Sequence, residues 1–384
     1  MLINKDTYYV GVNDHNIDLF EGQYVVKNGI SYNSYIIMDE KIVIMDTVDK
    51  NFASTWIENI KNVLKDKTPD YLVVQHMEPD HSANIMELVE LYPNITIIGN
   101  AKTFVMIKQF FNKDITNTLV VKDGEELNIG KHTLKFIFAP MVHWPEVMVT
   151  YDSYTKILFT ADGFGKFGAL DVEEDWVNEA RRYYIGIVGK YGLQVQMLLK
   201  KAASLDIEMI CPLHGPVLKD NLSYYLGLYN TWSSYTPEDN DIFIVYNSIY
   251  GNTKNAVNRL VELLSVVGIK AKAKDLARTD LSYDISEAFK HKTLVIATPT
   301  YNNGLFPFTK IFIDGLLERN FQNRNIAIIE NGSWAPMAAK LIKDAFANSK
   351  NITFIEPIVT IKSSLSEEST TKLCSLVDAL KDIK

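Results

Sequence analysis

Seven side chains able to hold a metal occur in a fixed order along this chain: His76, Glu78, Asp80 and His81 in one short run, then His143, Asp162 and His214 far downstream. Four of the seven histidines belong to the set. A fold that uses all seven must bring four separated segments to one point, and this requirement constrains the chain more than any compositional feature. Imidazole and carboxylate without thiolate suit borderline metals such as Fe, Mn or Zn. Seven ligands exceed what one ion takes, so two ions sharing a carboxylate fit the set better.

The local run, QHMEPDHSAN, follows the apolar stretch Tyr71-Leu72-Val73-Val74, which has strand character and breaks at Pro79. The downstream members sit in the same kind of place, each just past an apolar run, in APMVHWPE, ILFTADGFG and EMICPLHGP. Strand-end loops can aim several ligands at one point. His15, His132 and His291 lack that setting and read as surface or packing residues.

The pattern H-x-E-x-D-H, then His143, then Asp162 in A-D-x-F-G, then His214 in H-G-P, resembles the metallo-β-lactamase-like domain of the flavodiiron proteins, or A-type flavoproteins. Hydrolytic relatives of that fold carry H-x-H-x-D-H and hold two zinc ions. Here Glu78 stands in place of the second histidine. An added anionic oxygen ligand favours a harder, redox-active metal, which points from hydrolysis to iron. The resemblance implies one iron on His76, Glu78 and His143, a second on Asp80, His81 and His214, and Asp162 bridging them. His81 is displaced from the metal in some relatives.

A second informative stretch is the apolar strand Ile242 to Val245 followed by YNSIYGNTKNAV. Ser248, Tyr250, Gly251, Asn252 and Thr253 form a hydroxyl-rich turn running into a helix, whose free N–H groups and dipole suit a terminal phosphate. Two more strand ends supply Pro299, Thr300, Tyr301, Asn302, Asn303 and Gly304 in TPTYNNGLF, and Asn331, Gly332, Ser333 and Trp334 in ENGSWAP. Loops on one edge of a parallel sheet form a ligand site. The set resembles flavodoxin, implying FMN with Tyr301 and Trp334 available to flank its ring. No Lys or Arg lies in the Ser248 to Thr253 turn, so neutral donors would hold the phosphate.

Composition agrees. With 384 residues, of which 47% are hydrophobic, the chain can bury two cores. The formal net charge of -8, with acids and bases interspersed, argues against nucleic acid. Neither a membrane-spanning apolar run nor a leader is expected, so the chain reads as cytoplasmic. Two cysteines, Cys211 and Cys374, cannot build an iron-sulfur cluster or a rubredoxin iron, and a further electron carrier must be another molecule.

The polar stretch Thr236 to Asp241 suggests a boundary, giving a metal domain over 1–238 and a flavin domain over 239–384. The expected class is α/β: an N-terminal metallo-β-lactamase-like αββα sandwich, then a flavodoxin-like doubly wound parallel sheet. In the first domain, strands are expected near 35, 42, 96, 134, 148 and 157, with helices over 52–66 and 176–203. In the second, five parallel strands near 242, 269, 293, 326 and 353 alternate with helices near 253, 309, 336 and 367.

The resemblance covers essentially the whole chain. It implies electron transport through FMN to two non-haem irons that reduce O2 to water or couple NO to N2O, a gas-detoxifying activity. Tyr183 or Tyr184 resembles a tyrosine that relatives place beside the metals, and Tyr184 is taken as the proton donor. Phe20-Glu21-Gly22 stands where some relatives carry a histidine after the phenylalanine. The implied donor is a rubredoxin-type protein or reduced deazaflavin. The implied assembly is a head-to-tail homodimer, or a dimer of dimers, that faces the FMN of one subunit to the irons of the other. Two other readings keep the fold: a zinc-dependent hydrolase fused to a flavodoxin, and an FMN redox carrier without gas reduction.

Overall fold

A computed structural model describes residues 1–383 and divides the chain into two units, Met1–Asn230 and Thr231–Lys384. The division falls inside the helix Leu222–Ser233, ahead of the 238/239 boundary expected from sequence. The intervening segment is part of the second unit. Trp232 and Tyr235 are buried, and the Arg324 guanidinium, itself buried, donates to the Tyr235 carbonyl at 2.6 Å. Asp239, the expected start of the flavin domain, is the first residue of the strand Asp239–Tyr246.

The first unit is an αββα sandwich. One sheet has six strands in the order Thr7–Tyr9, Tyr35–Ile37, Val43–Met45, Tyr71–Val73, Thr96–Gly99 and Thr118–Val120. The other has five, in the order Glu126–Asn128, Thr133–Phe138, Met148–Asp152, Ile157–Phe159 and Met209–Cys211. Alternate residues supply the layer between the sheets: Tyr35 and Ile37, Val43 and Met45 from the first, Leu134 and Phe136, Ile157 and Phe159 from the second. Helices cover the outer faces. Ala53–Leu64 buries Trp56, Ile57, Ile60 and Leu64, the stripe that a 3.6-residue period puts on one side.

The second unit is a doubly wound sheet of five parallel strands: Ala271–Asp275, Asp239–Tyr246, His291–Tyr301, Arg324–Asn331 and Ile352–Ile361. The first strand in sequence lies second in space, so the chain reverses direction between Asp239–Tyr246 and His291–Tyr301 and leaves a crevice at their carboxyl ends. Ala256, Val257, Leu260 and Leu264 seat the helix Asn252–Val266 on the sheet.

The structure adds elements that periodicity does not reveal. The helix Leu281–Lys290 spans only ten residues, with Ile285, Ala288 and Phe289 as its apolar seam among acids and bases. The expected helix over 176–203 is broken: α-helix over Trp176–Tyr183, a π-turn over Tyr184–Val188, a 3-10 turn, then α-helix over Gly192–Ala202. Gly186 lies in the π-turn, where a Cβ would meet the Tyr24 ring at 2.9 Å, while Tyr24 donates its hydroxyl to the Gly186 carbonyl. No helix among the described residues is long and apolar enough to cross a membrane.

Candidate functional site

All seven predicted metal ligands lie at strand ends on one rim of the sandwich. The chain leaves Tyr71–Val73, runs through His76 and Glu78, and starts a short helix at Pro79, whose missing N–H suits the first helical position; Asp80 and His81 sit in that turn. His143 follows Thr133–Phe138, Asp162 follows Ile157–Phe159, and His214 follows Met209–Cys211. After His214 the backbone turns at Gly215, with φ +80°, and a Cβ there would stand 2.8 Å from Lys166 Cγ, so glycine is required.

Two clusters form. In the first, His76 Nε2 is 3.2 Å from Glu78 Oε2, and His143 Nε2 is 3.1 Å from the same oxygen. In the second, His81 Nε2 is 3.2 Å from Asp80 Oδ2 and 3.0 Å from His214 Nε2. Asp162 divides its carboxylate between them. Its Oδ2 lies 3.0 Å from His143 Nε2 and 3.5 Å from His76 Nε2, and its Oδ1 lies 3.3 Å from His81 Nε2.

The surroundings suit cations. Asp80 Oδ1 and Oδ2 and Asp162 Oδ1 are buried without a hydrogen-bond partner, and two imidazole nitrogens face each other at 3.0 Å. Buried charges are paired or bind metal, and this set is short of positive charge. Burial would lower the His76 imidazole, but Asp162, Glu146 and Glu78 outweigh it and hold His76 well above its usual value. Burial pushes the Asp80 carboxyl up to about 7. Positive ions would relieve both, displacing protons from the imidazoles.

Further residues orient the ligands. Glu146 Oε1, fully buried, accepts from the Met77 N–H at 2.8 Å and pairs with His76 Nδ1 at 2.9 Å. The Ser31 carbonyl lies 2.7 Å from His214 Nδ1. Asp46, with φ +54°, accepts from the backbone N–H groups of Gln75 and His76. Phe20 sets its ring edge-on to His214 at 5.3 Å. Glu21, at the exposed rim, is pushed up to about 7 by the protein around it and by the Glu78 charge. The Glu146 signal was present in HWPE, three residues past His143; a Glu after proline reads as solvated until the fold buries it.

The two tyrosines part company. Tyr183 lies with its ring 5.5 Å from His214, its buried hydroxyl without a hydrogen-bond partner among the described residues. Burial, then Asp162, Glu78 and Asp80, raise its phenol well above the usual value and keep it protonated. Tyr184 packs its ring against Tyr229 at 5.1 Å. Its neighbour, not Tyr184, is the one beside the ligands.

In the second unit a cavity of about 450 Å³ opens at the crevice of the sheet. Twelve of the fifteen predicted flavin residues line it: Ser248, Tyr250, Asn252 and Thr253 from the first loop, Pro299, Thr300, Asn302 and Asn303 from the second, Asn331, Gly332, Ser333 and Trp334 from the third. Gly251, Tyr301 and Gly304 do not. Gly251 takes φ +92° to open the helix, Gly304 closes the tight Asn302-Asn303 turn, and Tyr301 leans on Phe306. Ser248 Oγ accepts from the N–H groups of Gly251 and Lys254. Tyr250 and Trp334 are 92% and 89% exposed, apolar faces of the kind a planar ring covers. A fourth loop contributes Ser363, whose N–H donates to Asn331 Oδ1 at 3.1 Å. One serine after a strand carries no signal in sequence. Among the described residues no Lys or Arg lines the cavity.

Comparison with known proteins agrees with both halves. Residues 30–215 match the ODP family beta lactamase model and residues 244–372 the flavodoxin model. An uncharacterized protein of Methanocaldococcus jannaschii is 32% identical over 388 residues, covering 99% of this chain and 98% of that one. The anaerobic nitric oxide reductase flavorubredoxin of Escherichia coli is 28% identical over 87% of this chain and 72% of its own length. The structure of rubredoxin oxygen:oxidoreductase from Desulfovibrio gigas superposes with a TM-score of 0.93 at 25% identity, covering 100% of this chain and 98% of that one.

Proposed function

Because the chain belongs to the flavodiiron proteins, whose cofactors are FMN and a non-haem iron pair, we propose that it reduces a small gas, O2 to water or NO to N2O. The observation that carries the reading is the divided carboxylate of Asp162, one oxygen turned to each ligand cluster. His76, Glu78 and His143 would hold one iron and Asp80, His81 and His214 the other, with Asp162 between them. An iron pair held there would supply the electrons that reduce a diatomic, and a flavin in the second unit would supply one-electron transfer to it.

The chain's own residues set the conditions for that chemistry. Glu78 adds negative charge where a hydrolytic relative has imidazole, favouring the ferric state. Glu146 fixes the His76 ring and strengthens it as a donor. Tyr183 holds a proton at its buried hydroxyl beside the ligands, ready to give it to reduced oxygen. In the second unit the exposed Trp334 would flank the flavin ring, and the turn Ser248 to Thr253, Tyr250 included, would hold its phosphate with neutral donors.

The electron donor is a separate rubredoxin-type protein or a reduced deazaflavin. The chain works in the cytoplasm as a head-to-tail homodimer, alone or paired into a tetramer, which sets the flavin of one subunit against the irons of its partner. The domains run 1–230 and 231–384, the 231–238 segment belonging to the second.

The test is anaerobic turnover of iron-loaded, FMN-replete protein with O2 and with NO, using one artificial donor, alongside metal analysis. Two irons per chain and turnover of at least one gas are expected. Two zincs and no iron after growth in iron-replete medium, or turnover of neither gas by iron-loaded protein, would overturn the reading.

A further inference from the structure

Beneath the rim that carries the ligands, the first unit encloses a small apolar cavity. Its walls are Val142 and Phe164 from the ligand loops, Leu158 from the sheet, Val195 and Leu198 from the helix Gly192–Ala202, and Leu226 from the helix Leu222–Ser233. A water-sized sphere can move its centre through about 20 Å³ there, room for one water or one diatomic molecule. The wall presents only apolar surface, because its two hydroxyls are engaged elsewhere. Thr160 donates to the Gly163 carbonyl at 2.6 Å, and the Tyr229 hydroxyl accepts from the Phe164 N–H at 2.5 Å.

The position matters as much as the lining. Val142 precedes His143, and Gly163, also in the wall, follows Asp162, so the cavity adjoins two proposed ligands through the backbone that carries them. Phe164 stacks on Tyr229 at 4.0 Å and forms a flat partition beside the Asp162 loop. A water molecule needs two to four polar partners and finds none free on these walls, so the space stays dry. An uncharged diatomic gas gives up few interactions on leaving water and gains dispersion contacts with the aliphatic walls.

We propose that this cavity is a holding site for the diatomic substrate, a dry chamber from which O2 or NO reaches the metal rim past Val142 and Phe164. The inference rests on the gas-reducing reading above. It assigns a role to residues that touch no ligand atom: Val195, Leu198, Leu226 and Ala202.

Two measurements test it separately from that reading. Crystals of the holoenzyme pressurised with krypton should show the noble gas inside the cavity, and crystals of Val195→Leu, which adds a methylene to the wall, should not. Ala202→Val is the second filling variant, in case the first distorts its helix. In turnover, the filled variant should raise KM for the gas by about tenfold while kcat at saturating gas stays within about twofold, a split that a general loss of stability does not produce. Iron per chain should match the parent. No krypton in the parent cavity, or an unchanged KM in a variant whose crystal shows the cavity filled, would overturn the proposal. If the parent reduces neither gas, the functional reading fails on its own, and krypton occupancy still decides whether the cavity admits a small apolar molecule.

Discussion

Replacing Glu146 separates two roles that one oxygen plays. Glu146 Oε1 receives both the Met77 N–H and the Nδ1 side of His76, in a place with no exposure to water. Glu146→Ala strands both buried donors, at about 1–3 kcal/mol each, so about 2–6 kcal/mol in all. That is a large part of the roughly 5–15 kcal/mol that holds a typical domain together. Glu146→Gln keeps an acceptor in the same position, and its NH2 replaces Oε2, an atom already without a hydrogen-bond partner. Its metal-free form loses only the charged part of the His76 contact and should therefore unfold in urea closer to the parent than Glu146→Ala does. What Gln cannot supply is the negative charge behind His76. Loss of such a partner lowers metal affinity by about 10–100-fold, and the ratio is readable as iron retained against a graded chelator. Glu146→Gln keeping iron as tightly as the parent would refute the argument, as would Glu146→Ala unfolding with the parent.

Three further outcomes are expected. Tyr183→Phe should lower kcat by about 10²-fold or more with iron content intact, whereas Tyr184→Phe should leave turnover within about twofold; the reverse order would move the proton donor to Tyr184. His132 lies buried among Asp152, Asp39 and Asp6; burial opposes its charge, yet the carboxylates raise its pKa, so the stability it adds is full below its unfolded value of about 6.5 and fades as pH rises through the folded one. Urea titrations of metal-free parent and His132→Gln should differ most near pH 6 and converge towards pH 9, and a constant difference would contradict this. Residues 231–384, expressed alone, should fold and retain FMN, while 239–384 should be less stable because the buried Arg324 loses the Tyr235 carbonyl; equal midpoints would show that the segment contributes nothing.

Reading the sequence reached the seven residues that the structure brings together because metal chemistry restricts residue types and because each follows an apolar strand, a pattern visible without coordinates. It reached three of the loops that border the cavity of the second unit for the same reason. It took Tyr184 rather than Tyr183 as the proton donor, a choice that depends on helix phase where the chain passes into a π-turn at Tyr184. It named Tyr301 and Gly304 from the motif alone; neither lines the cavity, because the two-residue turn at Asn302-Asn303 directs only part of the hairpin inward. Glu146 acts through tertiary burial and Ser363 through the place its loop takes beside the cavity, and a single Glu or Ser in a loop is the commonest kind of solvated residue. The helix Leu281–Lys290 escaped because its apolar seam is confined to one end.

The ligands come from four loops, the earliest at His76 and the last at His214, across both sheets. A chain emerging from the ribosome therefore holds an incomplete set until His214 has been made. Until His214 is released, Asp80 and His81 lack their third member, and a metal captured early would meet an incomplete set with room for the wrong ion. Discrimination between metals by the full set is thus deferred until the first unit is complete.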